Sequence, residues 1–170
     1  MSPNTIPVAR MANLILFLEC FCFKTNLCVF KCIIYPKLIN FWKMKKIIST
    51  NLAPSAIGTY SQAVSYSNLL FISGQIGINV KNNKLESGFE SQARQVFQNI
   101  LNIIKAKDAL LDLNSVLKLT IYLKDLSDFD MLNEIMFSLF DDPYPSRAAV
   151  EVSRLPKDAL IEIDAIVACQ

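Results

Sequence analysis

The tract YPSRAAVEVSRLPKDALIEIDAIVAC, residues 144–169, holds an arginine and two carboxylates in places where chemistry is plausible. Arg147 follows a Pro-Ser step and opens a run of small apolar residues. A guanidinium held at a strand mouth by Pro145 can grip a carboxylate through two parallel hydrogen bonds, whereas the plain alternative is a solvated loop cation. Along ALIEIDAIVA the alternation places Ile161, Ile163, Ala165 and Val167 on one strand face and Glu162, Asp164 and Ile166 on the other. The two carboxylates are then either edge charges paired with Lys118 or Lys124 across strands, or groups that face a ligand. An outward face that also carries apolar residues, here Ile166, Ala149 and Leu119, calls for cover by a partner subunit. Carboxylates under such cover need partners of their own.

Three further polar residues stand out. Tyr60, in IGTYSQAV, reads first as a packing aromatic with a satisfied hydroxyl. Ser73, before Gly74, reads as a strand-end turn residue. Asn133 lies four residues after Phe129 and three before Met136, beside an apolar stripe, where an amide needs a partner.

Composition narrows the chemistry. Histidine is absent from the 170 residues, which excludes Ser-His-Asp and Cys-His catalysis and every histidine-containing metal site. The formal charge of +2 is unevenly spread: from Met44 onward there are 12 basic and 14 acidic residues, so this part carries −2. A nucleic-acid reader shows a basic footprint, and this part has none. Cys20, Cys22, Cys28 and Cys32 all precede Met44, leaving Cys169 as the body's lone thiol, so neither a disulfide framework nor a cysteine-rich zinc site belongs to the fold. The cysteine tetrad itself lacks the paired spacing and turn residues of a metal cluster.

The elements that must position these residues follow from periodicity. SYSNLLFISGQIG, residues 65–77, reads as a strand ending at Gly74, and the Asn-Asn pair of VKNNK as a turn between strand-like runs. Phe89, Ala93, Val96, Phe97, Ile100, Leu101 and Ile104 recur at helical spacing and predict a helix over 89–107. VLKLTIYLK, residues 116–124, is β-branched and aromatic, hence a strand. Ser127 or Asp128 can cap a second helix through Phe140, with Phe129, Leu132, Ile135, Met136 and Leu139 on its buried stripe. Two strands close the chain. The order ββ-α-β-α-ββ, with no Gly-rich phosphate loop, predicts an α+β domain with both helices on one sheet face.

Residues 1–43 differ in texture. An apolar run from Leu14 to Phe23, broken by Glu19, precedes a basic, acid-poor tract. The run is too short and interrupted for a membrane span, and the order reads as a targeting leader to be left out of the fold. It resembles the bipartite leaders of proteins sent to secondary plastids; the alternatives are a mitochondrial presequence, a membrane anchor, or an untranslated stretch upstream of a start at Met44, which would leave the protein cytoplasmic. The expected domain is therefore 44–170.

MKKIISTNLAPSAIGTYSQAV, LLFISGQIG, FDMLNEIMFSLF and YPSRAAVEVSRLPKDALIEIDAIVA together resemble, in order and spacing, the signatures of the Rid (YjgF/RidA, L-PSP endoribonuclease-like) family of reactive-intermediate deaminases, over residues 44–170. The resemblance implies a chorismate-mutase-like ββαβαββ fold: a six-stranded sheet with two helices on one face, three sheets closing into a trimeric barrel, and a ligand cleft at each subunit boundary. It implies hydrolysis of enamines and imines such as 2-aminoacrylate or 2-iminobutyrate to 2-keto acids and ammonia, without a cofactor or metal. Arg147 falls on the arginine that grips the substrate carboxylate, and Glu162 on the carboxylate that positions or activates the attacking water. Tyr60, Ser73 and Asn133 match positions lining that cleft, and at Gly74 the backbone approaches the ligand. Ala149 stands where many relatives have cysteine, so a thiol role is excluded while backbone contact with ligand is retained; Asp164 is structural. The competing functions are an endoribonuclease or translation inhibitor and a non-catalytic binder of small molecules. The implied partners are a small 2-imino acid and two further copies of the chain, with no nucleic acid and no membrane for the mature domain.

Overall fold

The computed structural model describes residues 45–169. The expected targeting leader and the cysteine tetrad lie outside the described residues.

Eight strands and two longer helices make up this part: β1 (Lys46–Ile48), β2 (Ala63–Tyr66), β3 (Leu69–Ile76), β4 (Ile78–Asn79), β5 (Lys84–Leu85), α1 (Phe89–Lys107), β6 (Val116–Leu123), α2 (Phe129–Leu139), β7 (Ser146–Glu151) and β8 (Ile161–Ala168). Six strands form one sheet in the order β1-β2-β3-β8-β6-β7, and β4 and β5 form a separate two-stranded ribbon. All neighbours in the large sheet are antiparallel except β6 and β7, whose parallel pairing is made possible by the α2 crossover between them. β7 is thus an edge strand, and Arg147 sits on that edge opposite Leu119.

The core forms on one face of the sheet. Leu70, Ile72, Leu119, Ile121, Leu123, Ile161, Ile163 and Val167 are buried there, against Ala93, Val96, Phe97, Ile100, Ile103 and Ile104 of α1 and Leu132 and Ile135 of α2. α1 follows its predicted bounds because the apolar stripe repeats at helical spacing and the charges suit the helix dipole, with Glu90 in the first turn and Lys105 and Lys107 in the last. Phe97 and Phe140 meet edge to face at 5.6 Å, locking α1 to the end of α2.

Several local expectations need correction. The tract 65–77 is a hairpin, not one strand: β2 and β3 turn at Ser67 and Asn68, with Ser67 at φ 55°. β3 does not stop at Gly74 but runs on to Ile76 through a bulge between Ile72 and Gln75. Neither Ser127 nor Asp128 caps α2 with its side chain; Asp125 instead accepts from Ser127 N at the start of the preceding 3-10 turn, and α2 ends at Leu139. Leu119 and Ala149 do not lie on the outward face. Leu119 is fully buried against the helices, and Ala149, paired with Ile121, packs against the same core. The outward face carries Phe71, Lys118, Thr120, Tyr122, Val150 and Ile166 beside the two carboxylates.

Candidate active site

Glu162 pairs with Ile76 on β3 and Tyr122 on β6, so its side chain stands on the outward face near the centre of the sheet. The β3 bulge sets its surroundings. Ser73 and Gly74 together stand against the single residue Asp164 between the Ile72–Ala165 and Gln75–Ile163 pairs, and bulges of this kind re-aim backbone and side chains. A Cβ at Gly74 would overlap the Glu162 carboxylate, so only glycine allows the carboxylate to lie against β3. Gln75, itself buried, ties the bulge down by donating from Nε2 to the carbonyls of Ser73 and Gly74 at 3.0 and 3.3 Å.

Ser73 Oγ donates to Ser61 O at 2.7 Å, which brings the segment that begins at Tyr60 alongside the bulge. The Tyr60 hydroxyl accepts from Ile57 N at 3.2 Å, and the ring is half exposed, so it is not the packing aromatic that its type suggests. Gln62 anchors the same loop: its amide donates to Thr50 O, Ala53 O and Pro54 O and accepts from Thr50 N.

The carboxylates do not take the lysine partners that the first of the two sequence expectations gives them. Asp164 accepts from Thr120 Oγ1 at 2.9 Å and Tyr122 Oη at 3.3 Å, neighbours on β6, and not from a lysine. Lys124 donates instead to Ser153 O at 2.8 Å. Glu162 makes no hydrogen bond among the described residues. Half-burial, and secondarily the Asp164 charge two residues along the same face, raise its pKa above the ordinary carboxylate value. Neither of its oxygens is taken up by a hydrogen bond among the described residues.

Arg147 is built into a second constellation. Its guanidinium donates from Nη2 to Asn133 Oδ1 at 2.6 Å and from Nη1 to Met136 Sδ at 3.2 Å, and it lies 5.0 Å from the centre of the Phe129 ring. The amide of Asn133 thereby finds the partner that its place beside the apolar stripe requires. Phe129, Asn133, Met136 and Phe137 follow one another at helical spacing, so one face of α2 supplies the whole support. A weak sulfur acceptor and a ring face hold the cation in place without neutralising it, and this leaves it able to take an anion. A cavity of about 440 Å³ opens beside it, lined by Asn133, Met136, Phe137, Tyr144, Pro145 and Arg147.

Register separates the two constellations. Arg147 stands opposite Leu119, on the helix side of the edge strand, and so does Ala149 opposite Ile121; Glu162 stands opposite Tyr122, on the outward side. The structure thus brings Gly74 and Ser73 of the bulge to Glu162 on one face of the sheet and Asn133 to Arg147 on the other, with Tyr60 in the loop that Ser73 holds through Ser61 and Ala149 on the helix side of β7 two residues after Arg147. Sequence reasoning missed Phe137 and Tyr144, which line the arginine cavity; the spacing of Phe137 from Asn133 is the signal that could have found the first. It also missed Thr120 and Tyr122, although they alternate along β6 on the carboxylate face. Among the described residues there is no cluster of histidine, cysteine or carboxylate side chains able to hold a metal ion.

The family model described as Endoribonuclease L-PSP matches residues 50–169. A RutC family protein of Pyrococcus horikoshii is 51% identical over 124 residues, which are 72% of this chain and 97% of that protein. A 2-iminobutanoate/2-iminopropanoate deaminase of Dermatophagoides farinae is 42% identical over 72% of this chain and 95% of its own length. The crystal structure of RidA from an Antarctic Psychrobacter superposes with a TM-score of 0.69 at 47% identity, covering 72% of this chain and 98% of that one. With a family model spanning most of its length and relatives near half identical over nearly their whole lengths, the chain belongs to the L-PSP, or Rid (YjgF/RidA), family.

Proposed function

We propose that the protein hydrolyses small 2-imino acids and their enamine tautomers to 2-keto acids and ammonia, in a cleft formed where two copies of the chain meet. The observation that carries this reading is the unpartnered, pKa-raised Glu162 beside the Gly74 bulge, together with an Arg147 clamp on the opposite face. The names of relatives such as the Dermatophagoides deaminase support the reaction class. The body charge of −2 and the absence of histidine weigh against ribonuclease chemistry.

In this reading Arg147 binds the substrate carboxylate by its two terminal nitrogens, with Asn133 fixing the fork, and the imine carbon is thereby held facing Glu162 of a neighbouring copy. Water adds to that carbon as the C=N π electrons move to nitrogen. Glu162 takes the water proton and returns a proton to the nitrogen, and the carbinolamine collapses to the keto acid and ammonia. An imine is already electrophilic, so orientation and one proton-transfer group suffice. Tyr60, Ser73 and the backbone at Gly74 and Ala149 line the cleft.

A trimer, with the outward faces of three sheets turned inward, supplies the cover that half-exposed Phe71 and Val150 call for. Residues 1–43 are proposed to be an organelle-targeting leader apart from the 44–170 domain. Purified protein mixed with freshly generated 2-aminoacrylate should release pyruvate and ammonia faster than buffer does. No acceleration with that or any other 2-imino acid would overturn the reading.

A further inference from the structure

The cavity beside Arg147 is larger and more apolar than a three-carbon imine needs. A six-heavy-atom imino acid displaces roughly 180 Å³, taking roughly 30 Å³ for each heavy atom as in water. The cavity measures about 440 Å³. Its wall away from the guanidinium is Met136, Phe137, Tyr144 and Pro145, with no charged group other than Arg147. Phe137 is 76% exposed and Tyr144 is 50% exposed. A single exposed aromatic is ordinary on a protein surface, but two of them with a methionine around one cation form a concave apolar surface next to an anion site.

Helical spacing fixes how they are arranged. Asn133 and Phe137 are one turn apart on α2, so Phe137 projects beside the amide that holds the guanidinium. Tyr144 and Pro145 approach from the segment leading into β7, three and two residues before Arg147. An acid gripped by Arg147 would therefore direct the substituent on its α-carbon toward this wall.

Resting on the deaminase reading above, we propose that this chain is selective for 2-imino acids with a bulky apolar side chain, branched aliphatic or aromatic, and that Phe137 and Tyr144 are its specificity-determining residues. A hydrophobic pocket discriminates by the apolar area it can cover, and a few methylene groups are enough for about tenfold or more in kcat/KM.

The test uses imines generated in place by an amino-acid oxidase from alanine, leucine and phenylalanine, with keto acid release followed for the full chain and for Phe137→Ala and Tyr144→Ala. The expected result is a kcat/KM for the leucine- and phenylalanine-derived imines about tenfold or more above that for the alanine-derived imine, with the ratio falling toward unity in Phe137→Ala. Activity on all three imines without such a preference, or a preference untouched in both variants, overturns the inference and leaves the deaminase reading standing. Inactivity toward every imine overturns both. Sedimentation of Phe137→Ala is expected to match wild type; a change of assembly state would make Phe137 an interface residue and refute its role in selectivity.

Discussion

At the scale of single residues, the arginine and the glutamate make different predictions because one binds and the other exchanges a proton. Arg147 is exposed and contributes nothing to the core, so Arg147→Ala should fold normally by circular dichroism. Loss of a charge-assisted pair with a carboxylate, about 1.5 to 3 kcal/mol, should lower kcat/KM by about one to two decades before any loss of orientation is counted. A folded variant with near wild-type kcat/KM would remove the clamp. Glu162 must be ionised to take a proton from water. Its pKa is raised by burial and by Asp164, so the rate should fall on the acid side with an inflection above the ordinary glutamate value of about 4.3. Glu162→Gln should keep substrate affinity, slow turnover by about 10²-fold or more, and flatten that acid limb. An unchanged pH profile would assign the inflection to another group. The identities of these residues were legible because arginine after Pro-Ser and carboxylates in an apolar alternation are locally anomalous. Their partners were not: Asn133 and Met136 reach Arg147 from 14 and 11 residues away, and Thr120 reaches Asp164 from 44.

At the scale of elements, α1 and the strands β6 to β8 could be read from periodicity, since each buries one face and its pattern is written in consecutive residues. What could not be read was register. The sign of the outward face at Leu119 and Ala149 depends on a bulge between Val116 and Lys118 and on parallel pairing with β7, both properties of two strands at once. The Ser73–Gly74 bulge was hidden for the same reason, because Gly74 reads locally as a strand end. The buried amides that fix the loops, Gln62, Gln75, Gln92 and Asn99, look like surface residues by type. Asn99, for instance, donates to the carbonyls of Ile76 and Ile78, some 20 residues earlier, and so holds the exit from β3. The bulge carries its own prediction. Gly74→Ala places a methyl group where the Glu162 carboxylate lies, so the carboxylate must swing away while the strand pairing survives. Turnover should drop about as far as in Glu162→Gln, with a wild-type circular dichroism spectrum; full activity would show that the close contact is dispensable.

At the scale of the whole molecule, the question is how two constellations on opposite faces of one sheet can act on one substrate. Within a single copy the hydrophobic core intervenes: Ile121, Ile163 and Leu119 are fully buried between the helix side, where Arg147 points, and the sheet. A neighbouring copy that brings its carboxylate face to the β7 edge removes the difficulty, and cyclic association repeats the same junction around the ring. This arrangement makes an outcome that a site within one subunit cannot. In a shared cleft, Arg147→Ala damages one side of every junction and Glu162→Gln the other. When the two impaired variants are co-expressed and assemble at random, about a quarter of junctions pair an intact arginine with an intact glutamate, so activity should rise to about a quarter of wild type. Each variant expressed alone stays at its own lowered rate, because every one of its junctions lacks a group. Sedimentation of the active mixture should give a trimer. Failure to recover activity in a verified mixed assembly, or turnover by a wild-type monomer, would place arginine and glutamate chemistry within one copy and require one of the two residues to leave the mechanism.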